Sequence, residues 1–267
     1  MRTVVFKGGL GNQLFQYQFL KYAERMWGGQ YRWMYEGHSH NGMEIERYFD
    51  VRLPQHASPA MERIYLLNKR IFRKTGWKWW IGNDAETDRT LSHKPFLSGY
   101  WQDKRFYQDG WLAFKPLKLN KHNQELQDAI QNSCSVALHV RRGDYLLPQY
   151  APRYAGVCTE DYYERAIETC RERLSDIRYF VFSDDVAWVR QHLPLQDATY
   201  VDWNHGDDSV FDMYLMSHAQ ANIIANSSFS YWAARLNRRT NLVIYPARWY
   251  NHPFCAPDIF PNNWIGL

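Results

Sequence analysis

The sequence predicts an α/β protein of two halves that meet near residue 130. Two observations carry this. A short β-branched and aromatic run, Thr3 to Phe6, passes through the glycine turn KGGLGNQ (Lys7 to Gln13) into a helical stripe of Phe15, Phe19, Tyr22 and Met26. From Ser135 onward, strand and helix periods alternate repeatedly, the pattern that builds a parallel sheet with helices on both faces. Ligands of such sheets bind outside the carboxyl ends of the strands.

In chain order, Gly28 and Gly29 end the first helix and Tyr31 to Tyr35 form a second strand. Between about Gly37 and Lys121 the pattern is irregular, a segment of helices and loops with GYWQDKRFY (Gly99 to Tyr107) as its landmark. Order returns with a strand at Ser135 to Val140 and a helix at Thr159 to Leu174 carrying Tyr163, Ile167, Cys170 and Leu174 on one face. Strands at Tyr179 to Phe182, Thr199 to Val201, Asn222 to Ala225 and Leu242 to Tyr245 then alternate with helices at Val186 to Leu193, Ser209 to Gln220 and Phe229 to Asn237.

Composition excludes several classes. With 45% hydrophobic and 22% charged residues, the 267-residue chain is globular and not a low-complexity segment. Lys and Arg exceed Asp and Glu by 32 to 28, too little to favour a nucleic-acid partner. The first strand starts at once, so no secretory signal is read, and no 18-residue apolar run encodes a transmembrane helix. A cytoplasmic protein is expected, and a peripheral membrane contact is compatible with that. Cys134, Cys158, Cys170 and Cys255 lack CxxC spacing and read as reduced, and neither HExxH nor a Cys/His cluster supports zinc despite the pair His38 and His40.

Four segments have chemistry-bearing residues. In the first loop, Gly8, Gly9 and Gly11 allow close backbone approach, and Asn12 can cap a helix whose free N–H groups attract anions. Leu14 replaces the third glycine of a dinucleotide fingerprint, although Glu36 stands where a ribose-binding acid would. In HVRRGDY (His139 to Tyr145), Arg141 and His139 share one strand face and Arg142 the other, and Asp144 can pair with either arginine. An arginine fork there suits a diphosphate, and an Arg and Asp network that only holds the strand ends together is the alternative. FSDD (Phe182 to Asp185) reads either as a metal-binding acid pair or as a helix cap. In the fourth segment, Asp212 faces inward by spacing or closes a capping box with Ser209, and Asn226, Ser227, Ser228 and Ser230 crowd a helix start.

GGLGNQLFQ at Gly8 to Gln16, HVRRGDY, FSDD and DMYLMSHAQANIIANSSFSYWAARL at Asp212 to Leu236 occur in order over nearly the whole chain, which resembles the bacterial α-1,2-fucosyltransferase family. GYWQDKRFY resembles a variant of a further family segment in which Trp101 and Asp103 are less typical. The resemblance implies a GT-B-type fold of two Rossmann-like lobes facing a cleft: residues 1–130 on the acceptor side and residues 131–267 binding the donor. It implies inverting transfer of L-fucose from GDP-β-L-fucose to the 2-hydroxyl of a galactose-like glycan, with no metal and no further cofactor. Carried over by position, Arg141, Asp144 and Asn12 serve catalysis. Gly11, Asn12, His139, Arg141, Asp184, Asp212, Asn226, Ser227, Ser228, Phe229 and Ser230 surround the nucleotide sugar.

The general base stays open among Asp144, Glu36, Glu44, Glu46 and Asp103. Rival readings are transfer from another GDP-sugar, a binding module without turnover, and a nicotinamide-dependent oxidoreductase.

Overall fold

The computed structural model describes residues 1–37, 41–76, 80–193, 195–240 and 242–267; His38 and His40 lie outside them. The chain forms two compact units, Met1–Lys115 and Pro116–Leu267. The division falls ahead of residue 130 because helix α5 (numbered below) packs with the second unit.

In the first unit the chain runs β1 (Arg2–Lys7), α1 (Leu10–Trp27), β2 (Tyr31–Glu36), α2 (Ile45–Tyr48), β3 (Gln55–His56), α3 (Pro59–Thr75), β4 (Ile81–Gly82), α4 (Asp88–Leu91) and β5 (Phe96–Leu97). The sheet is parallel, in the order β3-β2-β1-β5-β4. Central β1 is apolar through Val4, Val5 and Phe6 because both of its faces are covered.

Helix α1 departs from the expected single stripe. Met26 is 59% exposed, whereas Gln13, Gln16 and Gln18 are buried beside Phe15 and Phe19. Each glutamine replaces a backbone partner. Gln13 donates to the carbonyls of Gly8 and Gly42 at 3.1 and 2.8 Å and accepts from the amides of Glu44 and Ile45 at 2.8 and 3.1 Å. Gln16 bonds both the N–H and the C=O of Lys7, and Gln18 does the same for Gln108. Buried amides are tolerated here because their polar atoms are satisfied.

The second unit runs α5 (Lys121–Gln131), β6 (Cys134–Val140), α6 (Ala151–Tyr154), α7 (Glu160–Arg173), β7 (Ile177–Ser183), α8 (Val186–His192), β8 (Ala198–Val201), α9 (Ser209–Met216), β9 (Ala221–Ile223), α10 (Ser228–Leu236), β10 (Leu242–Tyr245) and β11 (Ile265–Gly266). Its parallel sheet has the order β11-β10-β9-β6-β7-β8. The chain moves outward from β6 through β7 to β8, then returns to β6's other side with β9. A topological switch point therefore lies between β6 and β9, and a crevice outside their carboxyl ends is where such sheets take ligands. Val136, Leu138 and Val140 of β6 pack with Tyr162, Tyr163, Ile167 and Cys170 of α7 in one core.

The helix expected to reach Gln220 stops at Met216. Asn222 donates to Met216 O, its last carbonyl, at 2.9 Å, and in the turn that follows Asn237 donates to Ala219 O at 2.7 Å. Strand β9 accordingly starts one residue early, at Ala221.

Candidate active site

At the carboxyl end of β6 the chain leaves the sheet with two adjacent arginines, and buried charges there need partners. Arg141 extends a fork, Nη2 to Asp144 Oδ1 at 2.7 Å and Nη1 to Asp184 Oδ2 at 2.9 Å, with Asp184 arriving from the end of β7. Burial works against its charge, but Asp184 and then Asp144 outweigh it and hold the guanidinium pKa above its ordinary value. Arg142 goes the other way, as strand alternation requires. Its Nε meets Asp185 Oδ2 at 3.1 Å and its guanidinium lies 4.1 Å from the Trp188 ring centroid, while its amide donates to Asp184 Oδ1 at 2.9 Å.

Asp185 also caps α8 by accepting from the Trp188 amide at 3.1 Å, so it serves as the helix cap of the two readings. No group of three or more His, Cys, Asp or Glu among the described residues is placed to hold a metal ion.

Gly143 sits tightly over Asp184: a Cβ there would lie 2.7 Å from Asp184 Oδ2. Gly143→Ala should therefore push Asp184 off Arg141 and lower stability by about 1–3 kcal/mol, as overpacking does. Urea denaturation checks this, and an unchanged midpoint would mean the Asp184 carboxylate can move aside freely.

His139, on β6, is buried with its ring 6.0 Å from that of Phe229 at the start of α10, and its Nδ1 has no hydrogen-bond partner. Burial, reinforced by Arg141 and opposed by Asp184, holds its pKa down at about 4, so the imidazole is neutral at pH 7. Tyr145 joins the ends of β6 and β9 by donating to Asn226 O at 3.0 Å and stacks on Tyr154 at 4.5 Å. The DY of HVRRGDY was the available signal for this strut.

The hydroxyl cluster after β9 is more structural than its composition implies. Ser227 caps α10 by accepting from the Phe229 amide at 3.3 Å, and buried Ser230 turns back to the carbonyls of Ala225 and Ser227. Asn226 donates to Trp249 O at 3.1 Å and accepts from Cys158 Sγ at 3.4 Å. Ser228 and Phe229 are half-buried at the opening of α10.

Asp212 makes no capping box with Ser209. The helix begins after Asp208, whose side chain caps nothing, and the Asp212 carboxylate accepts from Asn204 Nδ2 at 2.7 Å. Asn204 is in turn clamped to Asn123 on α5 by a pair of hydrogen bonds, and Trp203 Nε1 donates to Asn123 Oδ1 at 2.9 Å. Burial pushes the Asp212 carboxyl up to about 7, with the Asn204 bond pulling the other way. Nothing in the sequence announces Asn123, Trp203 or Asn204, which lie far apart or outside any motif.

Gly11 and Asn12 belong to the first unit. Gly9, not Asn12, is the N-cap residue of α1, which places Asn12 inside the first turn, with Gln102 Nε2 3.5 Å from its Oδ1. The positive φ of Gly8 (76°) lets the loop pass this side chain, since a Cβ there would lie 2.7 Å from Asn12 Nδ2. At the loop's entrance Lys7 lies 4.8 Å from the Tyr100 ring centroid, and burial lowers its pKa with Asp84 opposing. Trp101 is wholly buried, stacked on Phe19 at 3.6 Å.

The first-unit acids considered as bases all have partners. Glu36 meets Tyr65 and Lys69, Glu44 meets Asn41, Glu46 accepts from the Leu53 amide, and Asp103 holds Arg105. Glu36 thus ties β2 to α3 through Tyr65 and Lys69.

Two parallel-sheet units, one carrying charged side chains at its switch point, are the build of a GT-B glycosyltransferase. The chain belongs to glycosyl transferase family 11, whose family model matches residues 1–267. It is 35% identical to the alpha-1,2-colitosyltransferase of Escherichia coli over 177 residues, 63% of this chain and 61% of that protein. It is 26% identical to galactoside 2-alpha-L-fucosyltransferase Sec1 of Mus musculus over 290 residues, 100% of this chain and 74% of that one. The chain spans less than two thirds of the E. coli relatives it matches. NodZ alpha-1,6-fucosyltransferase, solved after soaking with GDP-fucose, shares the fold at TM-score 0.50 and 14% identity, covering 88% of this chain and 92% of that one. No helix among the described residues is long and apolar enough to cross a membrane.

Proposed function

We infer that this chain transfers L-fucose from GDP-β-L-fucose to the 2-hydroxyl of a galactose-containing acceptor, with inversion. The placement of Arg141 at the switch point, braced by Asp144 and Asp184, carries the reading, supported by the family and by relatives that act through α-1,2 linkages. In one displacement the acceptor oxygen attacks the fucose anomeric carbon opposite the leaving GDP, its proton passes to a carboxylate base, and negative charge grows on the diphosphate as the bond to it breaks. Arg141 and the amides opening α10 stabilise that charge, with Ser227 and Ser228 beside it. Neutral His139 lines the donor pocket without adding charge, and Asp144 keeps Arg141 aimed. Gly11 and Asn12 are assigned to the nucleotide-sugar site, with Asn12 also serving catalysis. A cytoplasmic setting, where thiols stay reduced, suits the four free cysteines.

Incubation with GDP-fucose and a galactoside, followed by NMR of the product, should give an α-1,2 linkage and stoichiometric GDP. Saturable donor binding without product would make the protein a binding module. A colitosyl donor is the second reading, favoured by the E. coli relative, and competition between the two donors separates them.

Guanine presents adjacent N–H donors that a carboxylate accepts in parallel, and Asp212, held by Asn204, is assigned to that edge. GDP at about 100 times its Kd should stabilise the fold by about 2.7 kcal/mol in thermal melts, and the same concentration of UDP should not. Because the carboxylate is the accepting form, GDP affinity should fall as pH drops below about 7. Equal stabilisation by GDP and UDP would remove the guanine assignment.

A chelator should leave transfer intact, because Asp184 and Asp185 are held by the two arginines and the positive field comes from Arg141 and the start of α10. Loss of activity with EDTA and its return with Mg²⁺ or Mn²⁺ would show that these acids bind metal.

A further inference from the structure

Helix α3 carries apolar residues on its outer face as well as on its inner one, where Met61, Tyr65 and Phe72 lie. Ser58 caps it by accepting from the Met61 amide at 3.4 Å, Pro59 opens its first turn, and Gly76 closes it with a positive φ of 73°. Among the described residues of α3, Tyr65 alone is buried, and its hydroxyl bonds Glu36 at 2.7 Å and Ser98 at 3.2 Å.

At 100° per residue, Ile64, Leu67 and Ile71 form a stripe turned away from Tyr65, and they are 42%, 57% and 44% exposed. Arg63, Arg70 and Lys74 run in a second exposed stripe beside it, with Arg73 at its margin. The helix has five basic residues against one acid, Glu62. Just beyond its end Trp80 is 47% exposed. Apolar side chains on the outer face with cations along one flank are the pattern of a helix lying in a membrane interface, and an exposed Trp suits the headgroup level. Charge selects the occupant. A second copy would bring two cationic stripes together, whereas acidic headgroups complement them.

We propose that the outer face of α3 docks on a bilayer bearing anionic phospholipids. Leu67, Ile64 and Ile71 enter the acyl boundary, and Arg63, Arg70, Arg73 and Lys74 meet the phosphates. The surface is independent of the transferase reading and stands or falls separately from it.

Co-sedimentation of the full chain tests it. The protein should pellet with mixed phosphatidylcholine and phosphatidylglycerol vesicles, remain in solution with phosphatidylcholine alone, and be released by salt. Leu67→Asp with Ile71→Asp should weaken binding by at least about tenfold, and Arg70→Ala and Lys74→Ala by roughly fivefold each. These outward positions leave the melting temperature near that of the parent. Failure to pellet with anionic vesicles, or equal pelleting of the folded variants, overturns the proposal. So does a self-associated chain that light scattering shows dissociating in the Leu67→Asp, Ile71→Asp protein, since a second copy would then cover this face.

Discussion

Arg141→Lys is expected to reduce kcat by about 10²- to 10³-fold while leaving the protein folded. Lys keeps the charge but has one nitrogen where Arg141 now reaches Asp144 and Asp184 with two. In the proposed reaction it loses the planar fork that would face the diphosphate oxygens, a loss of about 2.7–4 kcal/mol in the barrier by analogy with removing an oxyanion donor. The stability effect should be smaller, because an ammonium can still satisfy one aspartate and the site is open to water on one side. Steady-state kinetics with GDP-fucose alongside thermal melts separates the two quantities. Near-parental turnover in the folded variant would reduce Arg141 to a partner for the aspartates.

The second large effect concerns acid stability, where two buried groups pull in opposite directions. His139 titrates near 4 when folded against 6.5 as a free side chain, so between those values the unfolded chain binds more protons. Its contribution is present above pH 6.5 and is lost as pH falls toward 4, about 3 kcal/mol in all. Asp212 behaves in reverse. Its folded pKa of about 7 lies above the ordinary 3.8, so its contribution is present below pH 3.8 and is lost as pH rises through 7.

The two slopes offset each other between pH 4 and 6.5. Asp212→Asn should uncover the His139 slope, with stability falling more steeply on acidification than in the parent. His139→Gln should tilt the difference the other way. Urea midpoints at a series of pH values check both, and parallel profiles for all three proteins would mean that neither group is as desolvated as its surroundings require.

The alternation after Ser135 was legible because buried parallel strands and amphipathic helices leave periods of different length, and the structure follows it from β6 to β10. HVRRGDY was legible for a related reason: strand alternation separates Arg141 from Arg142, and the structure sends them to different aspartates. What stayed hidden depends on partners distant in sequence. Asn123 and Asn204 find each other across the unit, and no local pattern records that Asp212 leans on Asn204 instead of Ser209. Ser230 carries the same hydroxyl as Ser227, yet one turns back to the backbone and the other caps. Helix α3 escaped because apolar residues lie on both of its faces, Met61, Tyr65 and Phe72 inward and Ile64, Leu67 and Ile71 outward, so no single stripe marks its buried side.

The glutamines of α1 bear on how this protein can change over generations. Gln13 uses both its donors and accepts two amides, so every near neighbour in chemical space is penalised. Glu has the shape but sets oxygens against two carbonyls; Met has the length but strands Gly42 O and the amides of Glu44 and Ile45; Asn is a methylene short. The path away from Gln13 therefore begins with a fitness valley whichever step is taken, and the same holds for Gln16 against Lys7. The glycine loop ahead of them is therefore held by the amides on the helix behind it as much as by any molecule it meets.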